Sequence, residues 1–589
     1  LQSRYRIDIH GYARVLSSID KHYSLAMKSL SFRRRLITAS IAASLLTGFT
    51  STHALAAEVS KELPPAKPKL VVVLVVDGLP QEQIQRYRDQ FGEGGFKRLL
   101  TQGAWYSDAH QAHGVTLTAV GHSAVLTGAY PNQHGVIANG WVDPVTLANV
   151  YCTEDSKHTY LGEDTKPSDG TSPANLKVNT VGDELRYATG NQSKVITISG
   201  KDRGAILLAG KTGTAYMMMK KTGNFASSTY YMQSYPAWRE QYVAGKPQDK
   251  YYGQRWNLLL DEKAYANDAK DEVIIPGSRR ANDRLPMIYT SQSGAPDAEY
   301  YESLFTGPFV DEMTLEFAKA AVDGEKLGNN AAGVPDVLGV SLSSHDYVNH
   351  RWGPESRMSH DHLQRLDRML AKFFAHLDKK VGMDNTLVLL TADHGFPNTP
   401  EFARDNRLDA SRIDSKELMN SLNQHLQNKF GLEKLATKLS SPTILLDYKK
   451  FDSKGLKRED LENAVAEFAI KYPGIADAFT RTQLENGNVP NSRIGKLMQR
   501  AWNRQVSGDV MLVIKPYWYF GSDNHGTSHG SPYRYDTNVP LMIMGKQWIK
   551  PGAYGQAAEV VDIAPTLAHI LRVRPPAGSE GRILVEALK

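Results

Sequence analysis

Leu70-Val-Val-Val-Leu-Val-Val-Asp77-Gly78 is an unbroken apolar run that ends on a carboxylate. A strand with one wet face alternates apolar and polar residues. This one does not, so it reads as a strand buried on both faces of a parallel sheet. Asp77 then stands at the strand's carboxyl end, where open α/β sheets bind ligands. An Asp before Gly is also a common turn residue, and the run alone does not separate the two readings.

Working outward, the same pattern recurs. Lys194-Val-Ile-Thr-Ile-Ser199 leads into Gly200-Lys201-Asp-Arg203-Gly204, Asp336 to Leu342 into Ser343-Ser-His-Asp346-Tyr-Val-Asn-His350, and Thr386 to Ala392 into Asp393-His394-Gly395. Between them, Val310, Met313, Phe317, Ala320 and Ala321 mark one amphipathic helix, and Leu363, Leu366, Leu370, Phe373 and Leu377 a longer one. The alternation predicts an α/β fold: a mainly parallel sheet flanked by helices, with one active edge. Two stretches fall outside it, residues 205–307 and 396–519, and are expected as insertions over that edge. No internal repeat is present.

Gly114-Val-Thr-Leu-Thr118-Ala-Val-Gly-His122 places a hydroxyl at the start of a short apolar helix, roughly Ala119 to Thr127. Gly128 is expected to end the helix and Pro131 to prevent its restarting. Free N–H groups at such a start favour an anion such as phosphate. Thr118 is therefore either an N-cap or a nucleophile.

The 589 residues carry a formal charge of +6, but residues 1–56 hold eight Lys/Arg against two Asp/Glu, so the remainder is neutral. Bulk charge gives no reason to expect nucleic acid as a partner. Met27-Lys-Ser-Leu-Ser-Phe-Arg-Arg-Arg35, the apolar stretch Leu36 to Phe49 and Ala54-Leu-Ala56 have the form of an export signal over residues 27–56, too short and too rich in Ser/Thr to remain as a membrane anchor. Residues 1–26 are then expected to be upstream sequence translated in error, residues 57–69 a Pro/Lys-rich linker, and residues 70–589 the catalytic domain with its insertions. A periplasmic or secreted protein follows, acting as a monomer. Its single cysteine, Cys152, excludes an intrachain disulfide and reads as a small inert side chain.

The strand ends gather Asp77, Lys201, Arg203, Asp346, His350, Asp393 and His394. Carboxylates with imidazoles suit Zn²⁺. Asp346 and His350 share a face if their turn is helical. Asp393 and His394 are adjacent, so at a strand end their side chains are expected to diverge toward different atoms. Two metals about 4 Å apart would activate a nucleophile and clamp a leaving oxygen. His122, His134, His345 and His525 show no partner pattern.

These residues resemble the alkaline phosphatase superfamily, specifically its phosphate-irrepressible, PafA-type alkaline phosphatases. The matching stretches are Val76-Asp77-Gly78, Thr118-Ala-Val-Gly-His122, Thr127-Gly, Pro131-Asn-Gln-His-Gly135, Asn139-Gly-Trp141, Lys201-Asp-Arg203-Gly204, Asp346-Tyr-Val-Asn-His350, Ala392-Asp-His-Gly395 and Gly526-Thr-Ser-His529-Gly-Ser531. The resemblance implies two Zn²⁺ ions, one on Asp346, His350 and His529, the other on Asp77, Asp393 and His394. It implies Thr118 as the nucleophile, lying on the second zinc, and Asn139, Lys201 and Arg203 as ligands of the phosphoryl oxygens. The implied substrates are small-molecule phosphate esters. The superfamily's diesterases typically lack the Lys/Arg pair, which favours monoesters here. A phosphodiesterase or nucleotide pyrophosphatase is the alternative, a catalytically dead zinc-dependent binding protein another, and a sulfatase is disfavoured because no Cys-x-Pro-x-Arg stands at the nucleophile.

Overall fold

The structure, a computed structural model, describes residues 66–269, 284–522 and 525–589. The expected upstream segment, the export signal and residues 57–65 of the linker lie outside the described residues.

Nine strands form the main sheet. They are β1 (Leu70–Val76), β2 (Ala104–Tyr106), β3 (Val195–Ser199), β4 (Thr214–Met218), β5 (Phe225–Ala226), β6 (Asp336–Leu342), β7 (Thr386–Thr391), β8 (Leu541–Met544) and β9 (Gly552–Tyr554), in the order β9-β2-β8-β7-β1-β6-β3-β4-β5. All seven residues of β1 are buried, as an unbroken apolar run demands. Its neighbours β6 and β7 both run parallel to it, with Val75 level with Ser341 on one side and Thr391 on the other. The four central strands β7, β1, β6 and β3 therefore finish along one edge. Only a few residues beyond those ends come Asp393, Asp77, Asp346 and Lys201. The sheet is mainly parallel; β8 runs antiparallel to β7 and β2, and β5 to β4.

Helices cover the sheet. Thr118–Thr127 forms α1, Asp202–Ala209 α2, Ser344–Trp352 α3 and Arg357–Lys380 α4. Leu363, Leu366, Leu370, Phe373 and Leu377 of α4 are all buried, so the expected stripe is the packed face.

The stretch 205–307 departs from expectation in one respect. It begins inside α2 and supplies β4 and β5 to the main sheet before it leaves the core. Alternation is weak there because β4 has only five residues, four of them buried, and β5 only two, both buried. The rest of the stretch docks on α4: buried Asp361 accepts hydrogen bonds from Trp256 Nε1 (2.6 Å), Leu259 N (2.5 Å) and Tyr265 OH (2.7 Å). The stretch 396–519 carries helices and strands of its own. Ala436–Ser440, Thr443–Leu446, Val510–Ile514 and Ile475–Thr480 pair as a four-stranded sheet. Leu418, Leu422, Leu426, Leu461 and Val465 pack beside it as a separate apolar core.

Candidate active site

The local order of α1 comes first. Leu117 occupies the N-cap position and its side chain caps nothing, so Thr118 is the first helical residue rather than the cap. The cap arrives from elsewhere: Asn139 Oδ1 accepts the N–H of Ala119 at 2.8 Å. With that oxygen spent, the amide NH₂ of Asn139 is left as a donor beside Thr118. Ala119, Trp141, Cys152 and Leu207 share one small buried cluster, which fixes α1 against the turn that carries Asn139. Cys152 is fully buried and its thiol is pushed up to about 12 by burial, which makes it inert. Gly128 ends α1 in the left-handed conformation as expected, but Pro131 does not stop helix formation. It opens a one-turn helix, Pro131–His134, as first helical residue, where its missing N–H costs nothing.

Two donor clusters stand over the strand ends. Asp346, His350 and His529 form one, Asp77, Asp393 and His394 the other, and in each all donor atoms lie within 4.8 Å of one another. Asp346 and His350 share a face of α3, with His350 Nε2 3.4 Å from Asp346 Oδ1. His529 Nε2 approaches the same oxygen at 3.5 Å. In the second cluster His394 Nε2 lies 3.4 Å from Asp77 Oδ1 and 3.5 Å from Asp393 Oδ2. The side chains of Asp393 and His394 thus converge, contrary to the expected divergence. β7 has ended at Thr391, so the alternation of a strand no longer governs where they point.

The donor sets fit metal ions. Donors around a tetrahedral ion with bonds of about 2.0–2.1 Å stand roughly 3.3–3.4 Å apart, close to the separations just given. Every imidazole in the clusters has its Nδ1 on a backbone carbonyl: His350 on Thr527 at 2.9 Å, His529 on Thr116 at 2.7 Å and His394 on Gly395 at 2.9 Å. Each Nδ1 is therefore the donor and each Nε2 carries its lone pair inward, as a metal ligand requires. Asp77 Oδ1, Asp346 Oδ1 and His394 Nε2 are buried without a hydrogen-bond partner among the described residues. Buried polar atoms of this kind call for an ion.

Lys201 reaches into both clusters. Its Nζ lies 2.7 Å from Asp77 Oδ2 and 2.5 Å from Asp346 Oδ2. Burial opposes the ammonium charge, but these two carboxylates outweigh it and hold the lysine well above its ordinary value. Arg203 follows on the first turn of α2. Its Nη1 donates to Tyr151 OH at 3.3 Å, and that hydroxyl donates to Asp202 Oδ1 at 2.7 Å. Arg203 Nε is buried and unpartnered. All the residues expected at the site are thus brought to one edge of the sheet.

Three residues at the site were not foreseen. His122, one turn after Thr118, places Nδ1 2.9 Å from Thr118 O and 3.1 Å from Asp393 Oδ2, with Nε2 2.8 Å from Ser341 Oγ. Tyr151 joins the Asn139 hairpin to Arg203. Asp536 accepts from Gly530 N (3.1 Å), Ser531 N (2.8 Å) and Ser531 Oγ (2.6 Å), and so holds the loop that presents His529. Spacing could have raised His122, which shares a helical face with Thr118; nothing local marks the other two.

Two glycines make the geometry possible. Gly78 has φ +72°, and a Cβ there would stand 3.1 Å from Asp346 Cα and from the Phe396 ring. A Cβ on Gly121 would stand 2.0 Å from the carbonyl oxygen of Asp393. α1 can approach the second cluster only because that side chain is absent.

A family model for type I phosphodiesterases and nucleotide pyrophosphatases matches residues 71–536. The chain belongs to the alkaline phosphatase superfamily and resembles its PafA-type members. It is 35% identical over 536 residues to alkaline phosphatase PhoV of Synechococcus elongatus, covering 89% of this chain and 94% of that one. It is also 35% identical over 526 residues, 89% and 95% of the two chains, to a Myroides odoratus protein named a calcium-transporting ATPase. Among the described residues no helix is long and apolar enough to cross a membrane. The solved structure of alkaline phosphatase PafA superposes with a TM-score of 0.81 at 33% identity, over 89% of this chain and 99% of that one. A solved variant of PafA is substituted at one threonine, one asparagine, one lysine and one arginine, spaced along its chain as Thr118, Asn139, Lys201 and Arg203 are here.

Proposed function

We propose that this chain is an exported, zinc-dependent alkaline phosphatase that hydrolyses phosphate monoesters through a phosphothreonine on Thr118. The observation that carries the reading is the meeting of Lys201 and Arg203 with two complete donor clusters at the edge where α1 begins. The likeness to PafA and PhoV supports it.

Asp346, His350 and His529 would hold one Zn²⁺, and Asp77, Asp393, His394 and Thr118 the other. When bound, the ions would supply Lewis acidity to the attacking hydroxyl and to the leaving oxygen. Thr118 Oγ1, having lost its proton to solvent, forms the new bond to phosphorus, and the ester P–O bond opposite it breaks, the leaving oxygen taking up a proton from water. The free N–H groups of the first turn of α1 face the incoming phosphoryl group. The Asn139 amide, oriented by its bond to Ala119, donates to one non-bridging oxygen, and the Arg203 guanidinium, braced by Tyr151, to another. Lys201 gains a phosphoryl oxygen as a partner and neutralises charge that grows there. Water then cleaves the threonine–phosphate bond from the vacated side and releases inorganic phosphate.

The test is turnover of aryl phosphate monoesters, diesters and sulfate esters by purified protein, with bound metal counted in the same samples. Monoester turnover well above the rest, lost on chelation and restored by zinc better than by magnesium, is the expected result. Dominant diester turnover would replace the reading with a phosphodiesterase; a fully loaded protein without turnover would replace it with a binding protein.

A further inference from the structure

The cleft does not end at the phosphoryl ligands. A cavity of about 580 Å³ opens from Lys201 and Arg203, within the range of small-molecule sites. Tyr151, Tyr160 and Tyr347 contribute to its walls, and three exposed lysines, Lys166, Lys220 and Lys221, to its rim. Tyr347 directly follows the cluster residue Asp346 and is flanked by two ammonium groups. Lys201 Nζ lies 5.0 Å and Lys220 Nζ 5.4 Å from the centre of its ring. The two nitrogens are therefore no further apart than the sum of those distances, a gap that one small molecule with two anionic ends can span.

The carboxylates of the same cavity are already engaged. Asp202 accepts from Tyr151 OH, Glu163 from Thr222 Oγ1 (2.8 Å) and Asn224 Nδ2 (3.0 Å), and Asp169 from Lys166 N (2.7 Å). Asp164 pairs with Lys221 at 3.3 Å. Lys220 pairs with Glu302 at 3.4 Å, with both side chains about half exposed or more, and its ammonium also lies 5.3 Å from the centre of the Phe305 ring. Exposed pairs of this kind are weak, and a multivalent anion displaces them readily. Lys166 Nζ forms no ion pair with the described residues.

We infer that this cavity is a subsite for a second anionic group on the substrate, a phosphate or a carboxylate, with Lys220 as its main ligand and Lys166 and Lys221 beside it. The inference rests on the phosphatase reading above and narrows it: the chain selects phosphomonoesters that carry a further anion. A phosphoryl group facing Lys201 and Arg203 has this cavity as adjoining space. Both cationic ends lie against the ring of Tyr347.

The experiment compares α,ω-alkanediol bisphosphates with the matching ω-hydroxyalkyl monophosphates over a series of chain lengths, in the parent and in the Lys220→Ala/Lys221→Ala variant. The scissile bond is the same in each pair. The parent is expected to show a higher kcat/KM for the bisphosphate, with an optimum chain length. In the variant that preference falls by roughly tenfold, the effect of one charge-assisted hydrogen bond, and Lys220→Arg restores most of it. A bisphosphate offers two equivalent esters, so a kcat/KM no more than about twice that of its monophosphate in every pair, or a larger preference that survives in the variant, overturns the subsite. A parent that hydrolyses neither compound overturns the phosphatase reading and the subsite with it, a result distinct from hydrolysis without preference.

Discussion

The ammonium of Lys201 stands 2.7 Å from Asp77 Oδ2, inside the ring of groups suited to bind cations. It touches Asp346 as well, so one side chain neutralises a carboxylate from each donor cluster. In the metal-free protein, Lys201→Ala leaves two buried carboxylates without that partner. Breaking a buried pair in this way costs about 3–5 kcal/mol. Urea unfolding of the metal-free variant should show a loss of this order, and zinc should remove most of it. A metal-free variant as stable as its parent would mean that Lys201 does not play this part.

Lys201 and Arg203 are also the groups that separate two chemistries. A monoester dianion presents one more non-bridging oxygen and one more charge than a diester. Each charge-assisted hydrogen bond to it is worth about 1.5–3 kcal/mol, or roughly ten- to a hundredfold in rate. Lys201→Ala/Arg203→Ala should therefore depress monoester kcat/KM far more than diester kcat/KM, with both metals retained. Equal losses on the two substrates would favour the diesterase reading.

Thr118 begins α1 without capping it, so its hydroxyl is not needed for the helix. Thr118→Ala should keep the fold and the metals but lower turnover by several orders of magnitude, and Thr118→Ser should retain more. Acid quench during turnover should trap phosphate on residue 118 in the parent and the serine variant but not in the alanine variant. Parental turnover by the alanine variant would end the covalent mechanism.

Gly121→Ala drives a methyl group to 2.0 Å from the Asp393 carbonyl oxygen. Backbone cannot yield as a flexible side chain can, so α1 must move away from the second cluster. Overpacking of this kind costs about 1–3 kcal/mol or more. The displacement should also weaken metal retention at Asp77, Asp393 and His394. Unchanged Tm and zinc content would show that α1 can shift freely.

Asp536 is fully buried, and burial pushes its carboxyl up to about 7 against the hydrogen bonds from Ser531 and Gly530. An acid with a raised folded pKa binds its proton more tightly folded than unfolded. Its contribution to stability therefore declines as pH rises from the ordinary carboxylate value near ~4 to about 7, and is then constant. Asp536→Asn lacks this decline. Comparing Tm across that window, the parent should lose ground to the variant as pH increases; parallel profiles would place the pKa of Asp536 near its usual value.

Much of this architecture was legible because each donor follows its strand directly. Asp77 and Asp393 come within two residues of an apolar run, and parallel register brings the ends of such runs together without further information. The i,i+4 spacing of Asp346 and His350 likewise needs only one helical turn. His122 with Asp393 and Asp536 with the His529 loop were hidden for different reasons. The first pair is 271 positions apart, and a buried histidine beside a carboxylate has no local signature. The second depends on a turn whose N–H groups point at an acceptor only once the chain is folded. The convergence of Asp393 and His394 was misread because a rule for strands was carried past the end of one. The boundary at residue 205 failed because it falls inside α2, and because β4 has only five residues and β5 two, too few to show a strand pattern.

The placement of His529 has a consequence for how the molecule comes into being. Asp77, Asp393 and His394 are all present once two thirds of the polypeptide has been made, and their strands are immediate neighbours. The other cluster waits for a loop beyond the inserted four-stranded unit, just ahead of β8. Because chains emerge from the ribosome N-terminus first, a nascent or truncated product ending before that loop owns donors for a single ion and no partner for in-line displacement. Incomplete chains should therefore be chemically silent rather than partly active, and competence should arise in one step as the final tenth of the molecule docks.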